Sequence, residues 1–422
     1  MSVAVVKEGR SRREPVVQPI EHRLLTTATL CLLAGGAVMV YSASSARTVL
    51  EGQGDGTGYL VKYLGYGAVG LVAMRVLSRH GLETVRRLTP LVLLGAFVLL
   101  AAVLVPGVGV EINGAQRWLG VGPLQFQPSE IMKLALILHA ASVIAAKPKH
   151  SKDLRLLIGP VLSVGAGGIL LILLQPDLGT ALVICFSMAA LLVAAGVPLK
   201  QLALVAAIGA VLVLIYAFME EYRRARLTAF LSPGDAGSAG YQSLQGQIAI
   251  GSGGLLGAGV GESTQKVNYL PEAHTDFILA VIGEELGFAG IACLLALYGM
   301  IGYAGLRTAK NAKGVYAKLL ASGLTSLILC QALLNVYAVL GLAPLTGVPL
   351  PFISSGSTSL IVLLCSMGLL LNVAGGGSAH LSAIDGRRKS TENERADTDS
   401  DRGRGDRRPR RPGDRRGRRA AG

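Results

Sequence analysis

Apolar runs of about twenty residues recur along the chain from Leu24 to Val373. Each is close to the length a helix needs to cross ~30 Å of hydrocarbon. About ten such runs can be read, near Leu24–Ser44, Tyr59–Val76, Leu88–Val105, Pro128–Ala146, Leu156–Leu174, Asp177–Gly196, Leu202–Met219, Phe277–Leu306, Leu319–Leu340 and Leu350–Val373. The expected fold class is therefore all-α: a polytopic membrane protein with about ten transmembrane helices. Charge content agrees, since 16% of residues are charged, against about 25% in soluble chains. Arg10, Arg12, Arg13 and Arg23 precede the first run, which is long enough to span, so it is read as a helix that stays rather than a cleaved signal.

Basic residues fall in alternate loops. They occupy the N-terminal arm, the second loop (Arg75, Arg79, Arg86, Arg87), the fourth (Lys147, Lys149, Lys152, Arg155) and the eighth (Arg307, Lys310, Lys313, Lys318), while Gly341–Pro349 carries no charge. The positive-inside rule then puts both termini in the cytoplasm and the long loop at 219–276 outside. Three parts result: a basic arm at 1–23, a transmembrane domain at 24–374, and a tail at 375–422 rich in Arg, Asp, Gly and Ser. With almost nothing to bury, the tail is expected to be disordered, and its charge suits anionic lipid headgroups or an acidic partner.

Several function classes are excluded. Cys31, Cys185, Cys293, Cys330 and Cys365 all lie in apolar runs with no paired spacing, as small hydrophobes in helix packing would. No Walker A pattern occurs, and the glycines from Gly251 to Gly261 do not form a dinucleotide fingerprint. No His or Cys grouping has metal-ligand spacing; a divalent cation, Mg or Mn, near the external acids is left open. No folded basic module exists to bind nucleic acid.

The candidate chemistry lies at the outer ends of the spans. Asp276 stands where the long loop re-enters the membrane, with Glu284 and Glu285 about two turns further in; ionisable groups at such depth are costly and are kept mainly where they work. In the third loop, Arg117 and Trp118 lead to Glu130 and Lys133, which share a helical face and can pair. That pair either holds the bundle or lines a polar cavity, and Trp118 is either a headgroup anchor or part of a site. Gln175 and Asp177 form a tight turn, with Asp177 placed to cap the sixth span. Arg223, Arg224 and Arg226, with Lys266, put outward positive charge against the general trend; guanidinium groups suit phosphate oxygens, though salt bridges would serve as well. Ser354 and Ser355 open the last span, where backbone N–H groups could receive an anion or simply be capped. One acid among cations and amides suits general-base catalysis with a phosphate leaving group.

These motifs resemble those of a known family. Asn113-Gly114-Ala115-Gln116-Arg117-Trp118, Phe126-Gln127-Pro128-Ser129-Glu130, Gln175-Pro176-Asp177-Leu178-Gly179-Thr180, His274-Thr275-Asp276-Phe277, Gly283-Glu284-Glu285-Leu286-Gly287 and Pro351-Phe352-Ile353-Ser354 follow the order seen in the shape, elongation, division and sporulation (SEDS) proteins. Glu272-Ala273 and Gly261–Lys266 look like the division branch. Ser355-Gly356-Ser357 departs from the Tyr-Gly-Gly common in the family.

The resemblance implies a GT-C-like bundle that polymerises lipid II, the undecaprenyl-diphosphate-linked disaccharide-pentapeptide, into peptidoglycan. The site would lie at the outer face of the bacterial cytoplasmic membrane, at the division septum. Asp276 would be essential, as general base, with Trp118 also involved and His274 orienting. Arg117, Lys133, Lys266 or the Arg223–Arg226 cluster would stabilise the departing diphosphate. The implied partners are a class B penicillin-binding protein, other division proteins and membrane lipids. An elongation-branch polymerase, a lipid II flippase and a non-catalytic scaffold are the competing expectations.

Overall fold

The computed structural model describes residues 19–50, 57–112, 114–121, 124–149, 153–219, 224, 230, 237–268, 270 and 273–376. The N-terminal arm to residue 18, Arg223, Arg226 and the tail beyond residue 376 lie outside them. Every predicted span is a helix. These are α1 (Ile20–Leu50), α2 (Thr57–Arg79), α3 (Leu82–Val103), α4 (Pro128–Ala146), α5 (Arg155–Leu174), α6 (Leu178–Ala194), α7 (Leu199–Phe218), α10 (Ile278–Asn311), α11 (Val315–Val339) and α12 (Ser357–Ala374). The external loop holds two further helices, α8 (Gly237–Ser252) and the single turn α9 (Gln265–Asn268). Among the described residues, nine helices are long and apolar enough to cross a membrane, and α6 is a shorter apolar helix.

α4, α11 and α12 lie at the centre, and buried Leu, Ile, Ala and Met side chains make one continuous core between them and their neighbours. α7 stands at the edge, with nearly all its apolar side chains exposed. Such a surface is suited to lipid tails rather than water. Small residues bring helices together: α2 packs on α12 where Gly70 faces Leu364 and Gly368 meets the Met74 backbone. Cys31, Cys185 and Cys293 are exposed and Cys330 and Cys365 half-buried; most therefore face out of the bundle rather than into helix packing.

The structure adds three features to the expected all-α bundle. The third loop folds as a small antiparallel sheet in the order β1 (Gly109–Ile112), β2 (Ala115–Val121), β3 (Leu124–Phe126). Its register pairs Val110 with Trp118 and Gly120 with Gln125, with a bulge between Val110 and Glu111. The last helix begins at Ser357 rather than Leu350. Pro349 and Pro351 offer no N–H to a helix, and Phe352 takes a positive φ of 65°. Tyr63 donates to Phe352 O and Tyr298 to Pro351 O, both at 2.5 Å, fixing this irregular segment.

The third feature explains the glycine-rich run. α10 breaks at Gly287, where φ is 64° and ψ −162°. A break inside hydrocarbon frees backbone groups that must find partners within the protein. The glycine segment supplies them: Ala258 N donates to Glu284 O (2.9 Å), Gly259 N to Glu285 O (3.0 Å), and Phe288 N and Ala289 N donate to Gly254 O (2.9 Å) and Leu255 O (3.1 Å). Gly257, at φ +81°, lies so close that a Cβ there would stand 2.1 Å from Glu285 O. The run is a backbone-to-backbone dock.

Candidate functional site

Asp276 sits in the turn that leads into α10 and is partly exposed. Phe277 O accepts the first helical amides, Ala280 N at 2.9 Å and Val281 N at 3.4 Å. The carbonyl one residue earlier is held from outside the helix: Asn335 Nδ2 of α11 donates to Asp276 O at 2.8 Å and also to Val348 O at 2.8 Å. Thr275 Oγ1 lies 3.2 Å from Asp276 Oδ1. The Asp276 side borders a small cavity of about 10 Å³ shared with Asn335, Thr346 and Val348.

The other side of the same turn opens to a larger cavity of about 170 Å³. His274 lines it and packs against Tyr59, with ring centroids 4.4 Å apart. Trp118 and Gln125 of the sheet, Lys62, Tyr63 and Tyr66 of α2, and Ser355 and Ser357 complete the wall. Two residues apart in this turn, His274 and Asp276 thus border different cavities. Ser355 N donates to His274 O at 3.1 Å, so the α12 entrance and the Asp276 turn are one unit. Trp118, His274 and Ser355, picked from distant parts of the sequence, meet here.

The remaining candidates are engaged elsewhere. Glu130 and Lys133 form a buried ion pair of 2.8 Å, and Lys133 Nζ donates to Gln331 Oε1 at 2.8 Å. They border neither of these two cavities and join α4 to α11 through Gln331. Lys266 is buried as well. Its Nζ lies 2.6 Å from Glu285 Oε1, 3.1 Å from Ser42 Oγ and 2.8 Å from Gly261 O. Its charge is balanced inside the protein, which corrects the expectation of a diphosphate ligand. Glu284 accepts from Ser263 Oγ, Thr264 N (2.9 Å) and Thr264 Oγ1 (3.0 Å), tying the outer loop to α10.

Arg117 uses its guanidinium on backbone carbonyls, donating to Gln175 O at 2.9 Å and to Pro176 O. It fastens the sheet to the α5–α6 turn. Gln175 Nε2 donates to Leu100 O at 2.9 Å. Asp177 caps α6, accepting from Thr180 N at 3.1 Å, and its second oxygen accepts from Gln127 Nε2 at 3.0 Å. The N–H groups of Ser354, Ser355 and Gly356 donate to Leu350 O, His274 O and Ser354 O. These three N–H groups are thus engaged within the protein. Ser354 Oγ accepts from Leu350 N at 2.8 Å. Arg224 is exposed, and Arg223 lies outside the described residues.

Lys62 and the three α2 tyrosines were not singled out in the sequence. Their signal was a Lys at the outer end of an apolar span whose other cation, Arg75, lies at the inner end, with aromatic residues at helical spacing. Lys62 is the only cationic side chain among the described residues lining the larger cavity, and its Nζ lies 5.8 Å from the Tyr59 ring centroid. Among the described residues, no group of three or more His, Cys, Asp or Glu side chains could hold a metal ion.

Fold and site together define a polytopic helical membrane protein whose polar machinery is gathered at one end of the bundle. Residues 22–377 match the model of the FtsW, RodA and SpoVE cell cycle protein family. The chain belongs to this family, the SEDS proteins. It is 38% identical to stage V sporulation protein E of Bacillus subtilis, over 83% of this chain and 96% of that protein. It is 39% identical to the probable peptidoglycan glycosyltransferase FtsW of Pseudomonas fluorescens, over 84% of this chain and 88% of that one. Among solved structures it resembles a chain from a study of polymerization and crosslinking by a peptidoglycan synthase complex, with TM-score 0.69, 28% identity and coverage of 83% and 96%. The Thermus thermophilus rod shape determining protein RodA matches with TM-score 0.61 and 29% identity over 83% of this chain and 95% of that one.

Proposed function

We propose that this chain is a peptidoglycan glycosyltransferase of the division type, polymerising lipid II at the outer face of the cytoplasmic membrane. The observation that carries the reading is the Asp276 turn. It carries the partly exposed Asp276 carboxylate and, two residues before it, His274, which lines a cavity walled by aromatic rings and one lysine. Relatives named probable peptidoglycan glycosyltransferase FtsW support the activity.

In this mechanism Asp276 takes the proton of the acceptor sugar's 4-hydroxyl as that oxygen attacks the donor's anomeric carbon. The bond to undecaprenyl diphosphate breaks, and the diphosphate departs with the electron pair. An α-linked donor giving a β-1,4 bond needs one inversion and no covalent enzyme intermediate. Trp118, Tyr59 and Tyr66 offer ring faces for sugar, and Lys62 is the cation placed to meet the diphosphate. Base catalysis contributes about 10²–10⁴ in rate. The alternation of basic loops supports an outward site and cytoplasmic termini, and a class B penicillin-binding protein is the crosslinking partner this reading requires.

The purified chain with that partner, given lipid II and scored for glycan strands, tests the proposal. Asp276→Asn is expected to abolish polymer while the protein still folds and binds its partner; near wild-type polymerisation by Asp276→Asn overturns it. Lipid II translocation across liposomes without polymer would favour a flippase instead.

A further inference from the structure

We infer that Asn335 is a positioning residue for the transfer reaction, holding the Asp276 peptide so that its carboxylate meets the acceptor hydroxyl. The inference rests on the reading of Asp276 as the base. Asn335 lies on α11, 2% exposed, and its side-chain amide spends both hydrogens on carbonyls, Asp276 O and Val348 O, each at 2.8 Å. Two carbonyl acceptors admit only the NH₂ end of the amide, so its orientation is fixed. Its Oδ1 has no partner among the described residues, and the residue lines the same small cavity as Asp276 and Thr346.

Gln331 stands one helical turn earlier on the same face of α11. Its Nε2 donates to Pro349 O at 3.0 Å and lies 3.3 Å from Ser359 Oγ, while its Oε1 accepts from Lys133 Nζ at 2.8 Å. Two buried amides therefore grip adjacent carbonyls of the 348–349 segment. One is braced by the Glu130–Lys133 ion pair, and the other reaches across to Asp276. Asp276 O lies one residue before Phe277, the helix cap, so Asn335 fixes from outside a peptide that precedes the helical ladder. A displacement of about 1 Å at a reacting group can cost about a hundredfold in rate.

The test uses full-length protein with its crosslinking partner and lipid II. Asn335→Ala is expected to lower kcat by about tenfold to a hundredfold, with KM changed less than about threefold, while thermal melting and partner co-purification show a folded chain. In an Asp276→Glu background, where the carboxylate is already displaced by a methylene, removing Asn335 is expected to cost several-fold less, because positioning and base act as one unit. If Asn335→Ala does not fold, Asn335→Ser, which keeps one donor, is measured in its place. A folded variant with kcat near wild type, or losses that multiply in the Asp276→Glu background, overturns the inference. That failure is distinct from failure of the base reading, which would appear as undiminished polymerisation by Asp276→Asn.

Discussion

Replacing Lys266 by Met should expose the energetics of the buried charge network. Glu285 is 0% exposed and Lys266 3%. Glu285 Oε1 receives Lys266 Nζ at 2.6 Å, and its two oxygens receive Ser42 Oγ at 2.7 and 2.8 Å. Lys266→Met leaves a buried carboxylate with one hydroxyl donor. Breaking one partner of a buried pair costs about 3–5 kcal/mol. The double variant Lys266→Met/Glu285→Gln removes both charges and keeps an acceptor for Ser42, so it should recover much of the loss. Denaturant or thermal unfolding of the four proteins in detergent gives the coupling, expected at about 2 kcal/mol or more. Losses that add to within about 0.5 kcal/mol would refute the view that these groups act as a charge-compensated pair.

Gly257→Ala should destabilise by about 1–3 kcal/mol from backbone strain alone, with the contact to Glu285 O adding to it, and unfolding in detergent checks this. Lys62→Ala should raise KM for lipid II several-fold and Lys62→Arg should restore it, as steady-state polymerisation kinetics would show; an unchanged KM would remove Lys62 from the diphosphate site.

The spans were legible in the sequence because hydrocarbon imposes length and apolarity on each one independently of its neighbours. Capping of α6 by Asp177 was legible for the same reason: a carboxylate three residues before Thr180 N acts locally. The sheet was less so, although Asn113-Gly114 between Gly109–Ile112 and Ala115–Val121 is a hairpin signal. Its apolar residues did not stand out among spans far more apolar still.

What the sequence could not settle was which charges remain available. Lys133 and Lys266 read as candidate ligands for a diphosphate, while the fold pairs each with a glutamate in the interior. Arg117 reads the same way, yet it binds carbonyls 58 and 59 residues distant. The break in α10 and the glycine segment that repairs it are likewise two halves of one backbone arrangement. The sequence alone determined a bundle of apolar, membrane-spanning helices with Asp276 at the entrance to one of them, because periodicity and hydropathy act over one span. Only the tertiary structure decided that Lys62, Trp118, His274 and Ser355 share a cavity and that Asn335 holds the Asp276 turn, since those contacts join helices that the chain order keeps far apart.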